Sequence, residues 1–152
     1  MKHAKLSDDF IRIAEARHHD PFSVLGRHPS GAGVVVRAYI PHAMEVSIAE
    51  GNLALERVPD SDFFEWRGPA KSLPEHYRLI WRDTWHHEHI AHDPYSYLPQ
   101  IADFDLHLFG EGKHRHAHNF LGANEHEVDG VAGVLFAVWA PNAERVSVVG
   151  EF

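Results

Sequence analysis

Cysteine is missing altogether from these 152 residues, which excludes disulfides and thiolate metal sites and suits a reducing compartment. Basic residues are scarce: 14 Lys and Arg stand against 22 Asp and Glu, leaving a net charge of −8. Nucleic acids and anionic membranes select clustered Lys and Arg, so neither is expected as a partner, while neutral ligands fit. Long apolar runs are lacking too. The opening MKHAKLSDDFIRIAEARHHD holds no stretch suited to a signal peptide, and no segment reaches the length of a membrane span. A cytoplasmic location is the expectation. A glycine-rich phosphate loop and a nucleophile-elbow motif are likewise absent. What is present is a globular composition, 44% hydrophobic and 24% charged, enough for a real core.

Leu6-Ser7-Asp8-Asp9-Phe10-Ile11 reads as a helix start. Ser7 can cap free amide donors, Asp8 and Asp9 favour the positive end of the dipole, and Leu6 can staple to Ile11. The helix is expected to run to about Arg17 and stop before His19-Asp20-Pro21. After Gly33 the period changes to two, with Val34, Val36, Ala38 and Ile40 on one face and Val35, Arg37 and Tyr39 on the other. Val46 and Ile48 continue the pattern after a turn at Pro41, and further strands are expected at 52–58, 62–67 and 76–82. Short strands at this spacing indicate an all-β fold, an immunoglobulin-like β-sandwich over residues 20–100 behind a short N-terminal helix. Residues 103–121 are expected to be helical in two pieces broken at Gly110–Gly112, forming a partly helical connector before strand character returns at 134.

A shift of 100 residues lays one part of the chain on another. Gly33, Val34, Pro41, Ala43, Val46 and Ser47 meet Gly133, Val134, Pro141, Ala143, Val146 and Ser147, and Tyr39 meets Trp139. Upstream, Leu25-Gly26 and Leu121-Gly122 correspond with a small difference in length. Alternating valines recur in unrelated hairpins, but the proline-turn register favours a repeat. Residues 133–152 are then the opening strands of a second, incomplete sandwich.

Four ordered motifs carry a resemblance. They are Asp20-Pro21-Phe22-Ser23-Val24-Leu25-Gly26, Asp93-Pro94-Tyr95-Ser96-Tyr97, Phe136-Ala137-Val138-Trp139-Ala140-Pro141-Asn142-Ala143 and Val146-Ser147-Val148-Val149-Gly150-Glu151-Phe152. Together with Asp105-Leu106-His107-Leu108-Phe109-Gly110-Glu111-Gly112, this series resembles the N-terminal part of the bacterial glycogen branching enzymes. The resemblance implies a parent with an N-terminal sandwich, a glycogen-binding module of the isoamylase N-terminal type, and a catalytic (β/α)8 barrel. Such a parent cleaves an α-1,4-glucan and rejoins it through an α-1,6 bond, with a carboxylate nucleophile and a second carboxylate as acid and base. A barrel takes roughly 250 residues, so no catalytic residue is carried over to this chain. Residues 1–102 are expected to form the first module, 103–125 the connector and 126–152 the start of the glycogen-binding module. The implied partners are α-glucan and the parent's barrel, with self-association through the C-terminal strands also open. A standalone glucan-binding module and a purely structural sandwich remain alternative readings.

A glucan site needs an exposed aromatic face for the C–H surface of glucose and polar groups for its hydroxyls. Trp81, in line with Tyr77 and Leu79, and Trp66, in line with Phe64, read as core. Trp85, among His86, His87 and Glu88, is the best candidate for exposure. Tyr39 and Trp139 lie opposite the apolar face, with packing under a loop or another domain preferred and sugar stacking second. The histidine groups 86/87/89 and 114/116/118 lack thiolate or HExxH support and read as solvated, so neither a metal nor another cofactor is expected. Asp8-Asp9, Asp60/Asp62 and Asp103/Asp105 are explained by caps and turns.

Overall fold

The computed structural model describes residues 6–150, and the chain divides into two compact units, Met1–Leu98 and Pro99–Phe152. In the first, helix α1 (Asp8–Ala14) starts where its cap places it: Ser7 Oγ accepts the Phe10 N–H at 3.3 Å. It ends three residues earlier than expected, because Ala16 adopts φ 54 and turns the chain out of the helix. A single 3-10 turn, Pro21–Ser23, leads into the strands.

Seven strands follow: β1 (Gly26–Ser30), β2 (Gly33–Tyr39), β3 (Ala43–Ile48), β4 (Leu53–Arg57), β5 (Phe63–Gly68), β6 (Arg78–Asp83) and β7 (Glu88–His92). They form one antiparallel sheet in the order β1-β2-β5-β4-β3-β6-β7. β4 gives its first part, Leu53–Leu55, to β3 and its last residues, Glu56 and Arg57, to β5. One strand thus joins the two halves, and the sheet curls as it passes from one to the other. The result is a mostly-β unit with an N-terminal helix and an open, curled seven-stranded sheet.

The alternation read from residues 33–48 decides what the curl encloses. Val36, Ala38 and Phe64 from one half pack in a single core with Val46, Ile48, Leu55 and Leu79 from the other, and Tyr77 and Leu73 fill it. Trp66 and Trp81 pack against that core, as their strand neighbours required. The opposite side of β2 and β5 is covered as well. Ile13, Val24, Leu25 and Phe63 form a second cluster there, joined by Phe10, Tyr39 and Tyr95. Phe10 stacks on Phe63 with centroids 4.1 Å apart, which fixes α1 to the sheet. Arg57, lying 4.6 Å over the Phe64 ring, donates to the carbonyls of Ala43 and Ser61 and so ties β4 to the start of β3 and to the turn before β5.

The second unit carries helix α2 (Asp103–Gly110), a 3-10 turn at Ala117–Asn119, and a hairpin of β8 (Gly122–Val128) and β9 (Val131–Ala137). Both helical pieces expected over 103–121 are present. The turn at Pro141 is also formed, with the Ala143 N–H donating to Ala140 O at 3.0 Å, as Ala43 donates to Ile40 O at 3.3 Å after Pro41. Residues 144–150, expected to continue as a strand, are not in a sheet. Residues 151–152 lie outside the described residues.

The repeat extends far upstream of the two hairpins. With an offset of 96, residues 9–28 fall on 105–124 contact by contact. His18 Nε2 faces Asp9 Oδ1 at 3.3 Å and His114 Nε2 faces Asp105 Oδ1 at 2.7 Å. The Nδ1 of each imidazole accepts the backbone N–H two residues on, from Asp20 and from His116, both at 3.1 Å. Glu15 pairs with Arg17, and Glu111 with Lys113. The Leu25 N–H reaches Pro21 O at 2.8 Å and the Leu121 N–H reaches Ala117 O at 2.9 Å. Gly26 and Gly122 then enter their strands at φ 82 and φ 88. The hairpins differ in length, with five paired residues in β1–β2 and seven in β8–β9, which converts the offset of 96 into 100.

Candidate functional site

The connection between β6 and β7 is four residues, Thr84-Trp85-His86-His87, closed around one carboxylate. Asp83 Oδ1 accepts the N–H of Trp85 at 2.9 Å and of His87 at 3.0 Å, and Oδ2 accepts from His89 Nε2 at 2.9 Å. The Asp83 N–H donates to His87 O and the His86 N–H to Asp83 O, each at 3.0 Å, with His86 at φ 66. Asp83 is buried. The hydrogen bond from His89, opposed by burial and supported by the His87 and Trp85 amides, holds its carboxyl down to about 2.

The turn presents Trp85 to solvent at 65% exposure. Its ring lies 5.8 Å from that of His42, inclined at 58°. His42 is held in the turn between β2 and β3 at φ 65, and its carbonyl accepts the Thr84 N–H at 3.0 Å. Two turns are thereby laced together under an exposed indole. Chemically this is a flat apolar face beside an imidazole that can donate or accept a hydrogen bond. Trp81 stacks on His89 nearby, with centroids 5.1 Å apart, and stays against the core.

The other two aromatic candidates occupy different settings. Tyr39 is half-buried, tilted on Phe63 at 4.7 Å in the cluster beneath α1. Burial, and after it the charge of Asp62, pushes its hydroxyl pKa up. Trp139, its repeat counterpart, belongs to the second unit and meets Phe109 of α2 edge to face at 5.5 Å. Tyr39 thus meets β5 in the cluster beneath α1, whereas Trp139 meets α2, the helix at the start of its own repeat. Trp139 is as exposed as Trp85, at 66%, and follows β9, whereas Trp85 stands on a turn fixed by the hydrogen bonds to Asp83.

The polar groups singled out in the sequence are engaged locally. His114 bonds Asp105, His87 and His89 bond Asp83, and Asp62 pairs with Arg57 at 3.2 Å. Among the described residues, no group of three or more His, Asp or Glu is arranged to hold a metal ion. Tyr77 and Asp93 make a further pair, wholly inside the first unit: the Tyr77 hydroxyl donates to Asp93 Oδ2 at 2.6 Å. Burial pushes both groups upward in pKa. Asp93 Oδ1 also accepts the Tyr95 N–H at 3.0 Å, so the Asp-Pro-Tyr motif anchors its own turn. Sequence reasoning named Trp85 but missed Asp83 and His42. Asp83 was visible as a turn signal with Thr84, and His42 as the residue after Pro41.

Comparison with known proteins gives these elements a lineage. Residues 6–95 match the family model described as alpha-1,4-glucan branching enzyme GlgB, N-terminal domain. The chain belongs to this branching enzyme family. Residues 120–152 are similar to carbohydrate-binding module 48, the isoamylase N-terminal domain. Among curated branching enzymes, the chain is 51% identical over 149 residues to the 1,4-alpha-glucan branching enzyme GlgB of Methylococcus capsulatus, covering 98% of this chain and 20% of that protein. It is 48% identical over 157 residues to the GlgB of Cellvibrio japonicus, covering 97% and 21%. With the GlgB of Nitrosococcus oceani it shares 49% over 150 residues, covering 98% and 20%. The chain spans about a fifth of the length of these branching enzymes. Trp85 and its turn fall within the segment matched to the family's N-terminal domain, and Trp139 within the segment similar to module 48. No described helix is long and apolar enough to cross a membrane.

Proposed function

We propose that this chain is a non-catalytic, glucan-handling region of a branching enzyme, working in the cytoplasm beside the barrel that performs the transfer. The parent's reaction breaks an α-1,4 bond and forms an α-1,6 bond, and this region presents chains of suitable length to it. The observation that carries the reading is Trp85, an indole exposed on a turn fixed by hydrogen bonds, in a chain of a family that acts on α-glucan. Tryptophan is enriched among the few residues that carry most of the energy of a binding surface. A pyranose ring offers a C–H face that fits it, and His42 stands where a sugar hydroxyl can be bonded. Tyr39 serves as a packing residue in this reading, while Trp139 meets Phe109 edge to face and is otherwise exposed, at 66%. We also propose that the first unit is an immunoglobulin-like sandwich, with β4 as the strand shared between its two faces.

Co-sedimentation with glycogen tests the assignment. Replacing Trp85 by Ala should weaken binding by about tenfold, equivalent to ~1.4 kcal/mol, with the far-ultraviolet circular dichroism unchanged. Undiminished binding by the folded W85A chain would remove Trp85 from the site.

A further inference from the structure

An exposed indole is useful as a binding face only if its backbone does not wander, and the structure places one buried side chain in charge of that. We infer that Asp83 is the positioning residue of the Trp85 face, holding the indole in a binding-competent orientation through the Trp85 amide. This rests on the reading of Trp85 as an α-glucan contact.

Three observations carry it. First, Asp83 ends β6 and pairs with Ala43 of β3, so its Cα belongs to the sheet and not to the loop. Second, its Oδ1 is shared by the amides of Trp85 and His87, at 2.9 and 3.0 Å. These flank His86, the residue whose positive φ reverses the chain. One oxygen thus defines both arms of the turn. Third, Oδ2 is itself held by His89 of β7 at 2.9 Å, with His87 Nδ1 at 3.5 Å, and His89 is stacked on Trp81 at 5.1 Å. The carboxylate cannot rotate without losing a partner on the neighbouring strand. The Thr84 amide adds a tie to His42 O at 3.0 Å, so the imidazole beside the indole is held by the same turn.

Removing the carboxylate frees both amides and lets Trp85 and His42 move apart, while neither Trp85 nor His42 itself is changed. A binding face loosened in this way loses affinity although every contacting side chain is present. Asn keeps an oxygen that can accept from the two amides and should preserve much of the geometry. Ala should not.

The test uses the whole chain labelled with 5-fluorotryptophan, with glycogen co-sedimentation as the affinity readout. Asp83→Ala should bind glycogen about tenfold more weakly, shift the Trp85 fluorine resonance and leave the Trp139 resonance in place. Asp83→Asn should restore affinity to within about threefold of the parent chain. Arg27→Ala supplies the control for general destabilisation. Arg27 donates to the carbonyls of Ala70, Leu73 and Pro74, so its loss should lower the melting temperature without changing glycogen affinity. If folded D83A binds as tightly as the parent chain while W85A does not, the positioning role fails and the Trp85 reading survives. If W85A also binds fully, both fall. Should D83A not fold, amide exchange in the unaltered chain decides: the Trp85 and His87 amides must be protected, and free-loop exchange rates at both would overturn the inference.

Discussion

Residues 8–39 and 103–137 run the same course twice: helix, Asp–His pair, 3-10 turn, positive-φ glycine, hairpin. Their surroundings differ. Val36 and Ala38 of β2 are buried in the core shared with the other half of a seven-stranded sheet, whereas Val134, Phe136 and Val138 are all about half exposed or more. The local contacts nonetheless join the same atoms, at 3.3 and 2.7 Å in the Asp–His pair and at 2.8 and 2.9 Å in the turn. Hydrogen bonds within the helix, the turn and the Asp–His pair therefore suffice to set the motif's conformation, and coverage by distant strands is a separate achievement. Such self-contained units commonly correspond to cooperative elements of folding.

The comparison is broken most strongly at the shared glycine. A Cβ on Gly26 would sit 2.5 Å from Tyr95 O, while around Gly122 nothing lies within 4 Å, and both residues have positive φ. Gly122→Ala should therefore cost only the left-handed backbone term, ~1–2 kcal/mol. Gly26→Ala adds a clash with a fixed carbonyl and should cost ~3 kcal/mol or more, by the scale of overpacking on top of strain. Urea denaturation of the two variants, read by amide exchange in each unit, should show this asymmetry. Equal losses would mean that the two glycines have the same surroundings.

At the Asp–His pair the two copies should behave alike. Both imidazole side chains are nearly inaccessible, at 3% and 8% exposure. Because each Nδ1 accepts a backbone N–H, the proton must sit on Nε2, facing the carboxylate. His18→Ala and His114→Ala should each destabilise their own unit by ~1–2 kcal/mol, the cost of a lost hydrogen bond with its partner left unpaired. Nitrogen-15 spectra should find both rings in the Nε2–H tautomer; an Nδ1–H ring in either copy would separate them.

The smallest difference is electrostatic. Arg37, which becomes Ala137 in the second copy, pairs with Glu65 at 2.7 Å, and Arg67 adds a second contact at 2.9 Å. For Glu65, burial pushes the pKa up, but the hydrogen bonds and charges of Arg37 and Arg67 outweigh it and the net shift is downward. A depressed carboxyl contributes stability above its unfolded value, 4.5, and loses it as pH falls through the folded value. The melting-temperature gap between the unaltered chain and Glu65→Gln should thus be present near pH 6 and close below pH 4.5. Exposure on both partners limits its size. A gap that widened on acidification would reverse the assignment.

Several features were legible because their cause is local. Ser7 capped α1, the alternation of residues 33–39 became β2 almost to the residue, and Trp66 and Trp81 took core positions. Three strands were not read. β1 contains Pro29, β7 reads Glu-His-Ile-Ala-His, and β8 reads Gly-Ala-Asn-Glu-His-Glu-Val. Each lies at a sheet edge with one bonded neighbour, where burial exerts little demand for alternating apolar residues. The site was half legible for the same reason. Polar neighbours marked Trp85 as exposed, but Asp83 gains its role from His89 six residues on and His42 from a turn more than forty residues away.

By itself, the sequence determined the helix start, the inner strands, the proline-turn repeat and the ordered motifs of the branching enzyme family, because these rest on spacing and on contacts between near neighbours. Only the tertiary structure decided that the cover over Tyr39 is a helix, and that Trp85 is held by Asp83 beside His42. It also decided that Val36 and Ala38 of the first hairpin close against Val46, Ile48, Leu55 and Leu79. Burial depends on strands that arrive from far along the chain, and no local pattern encodes their arrival.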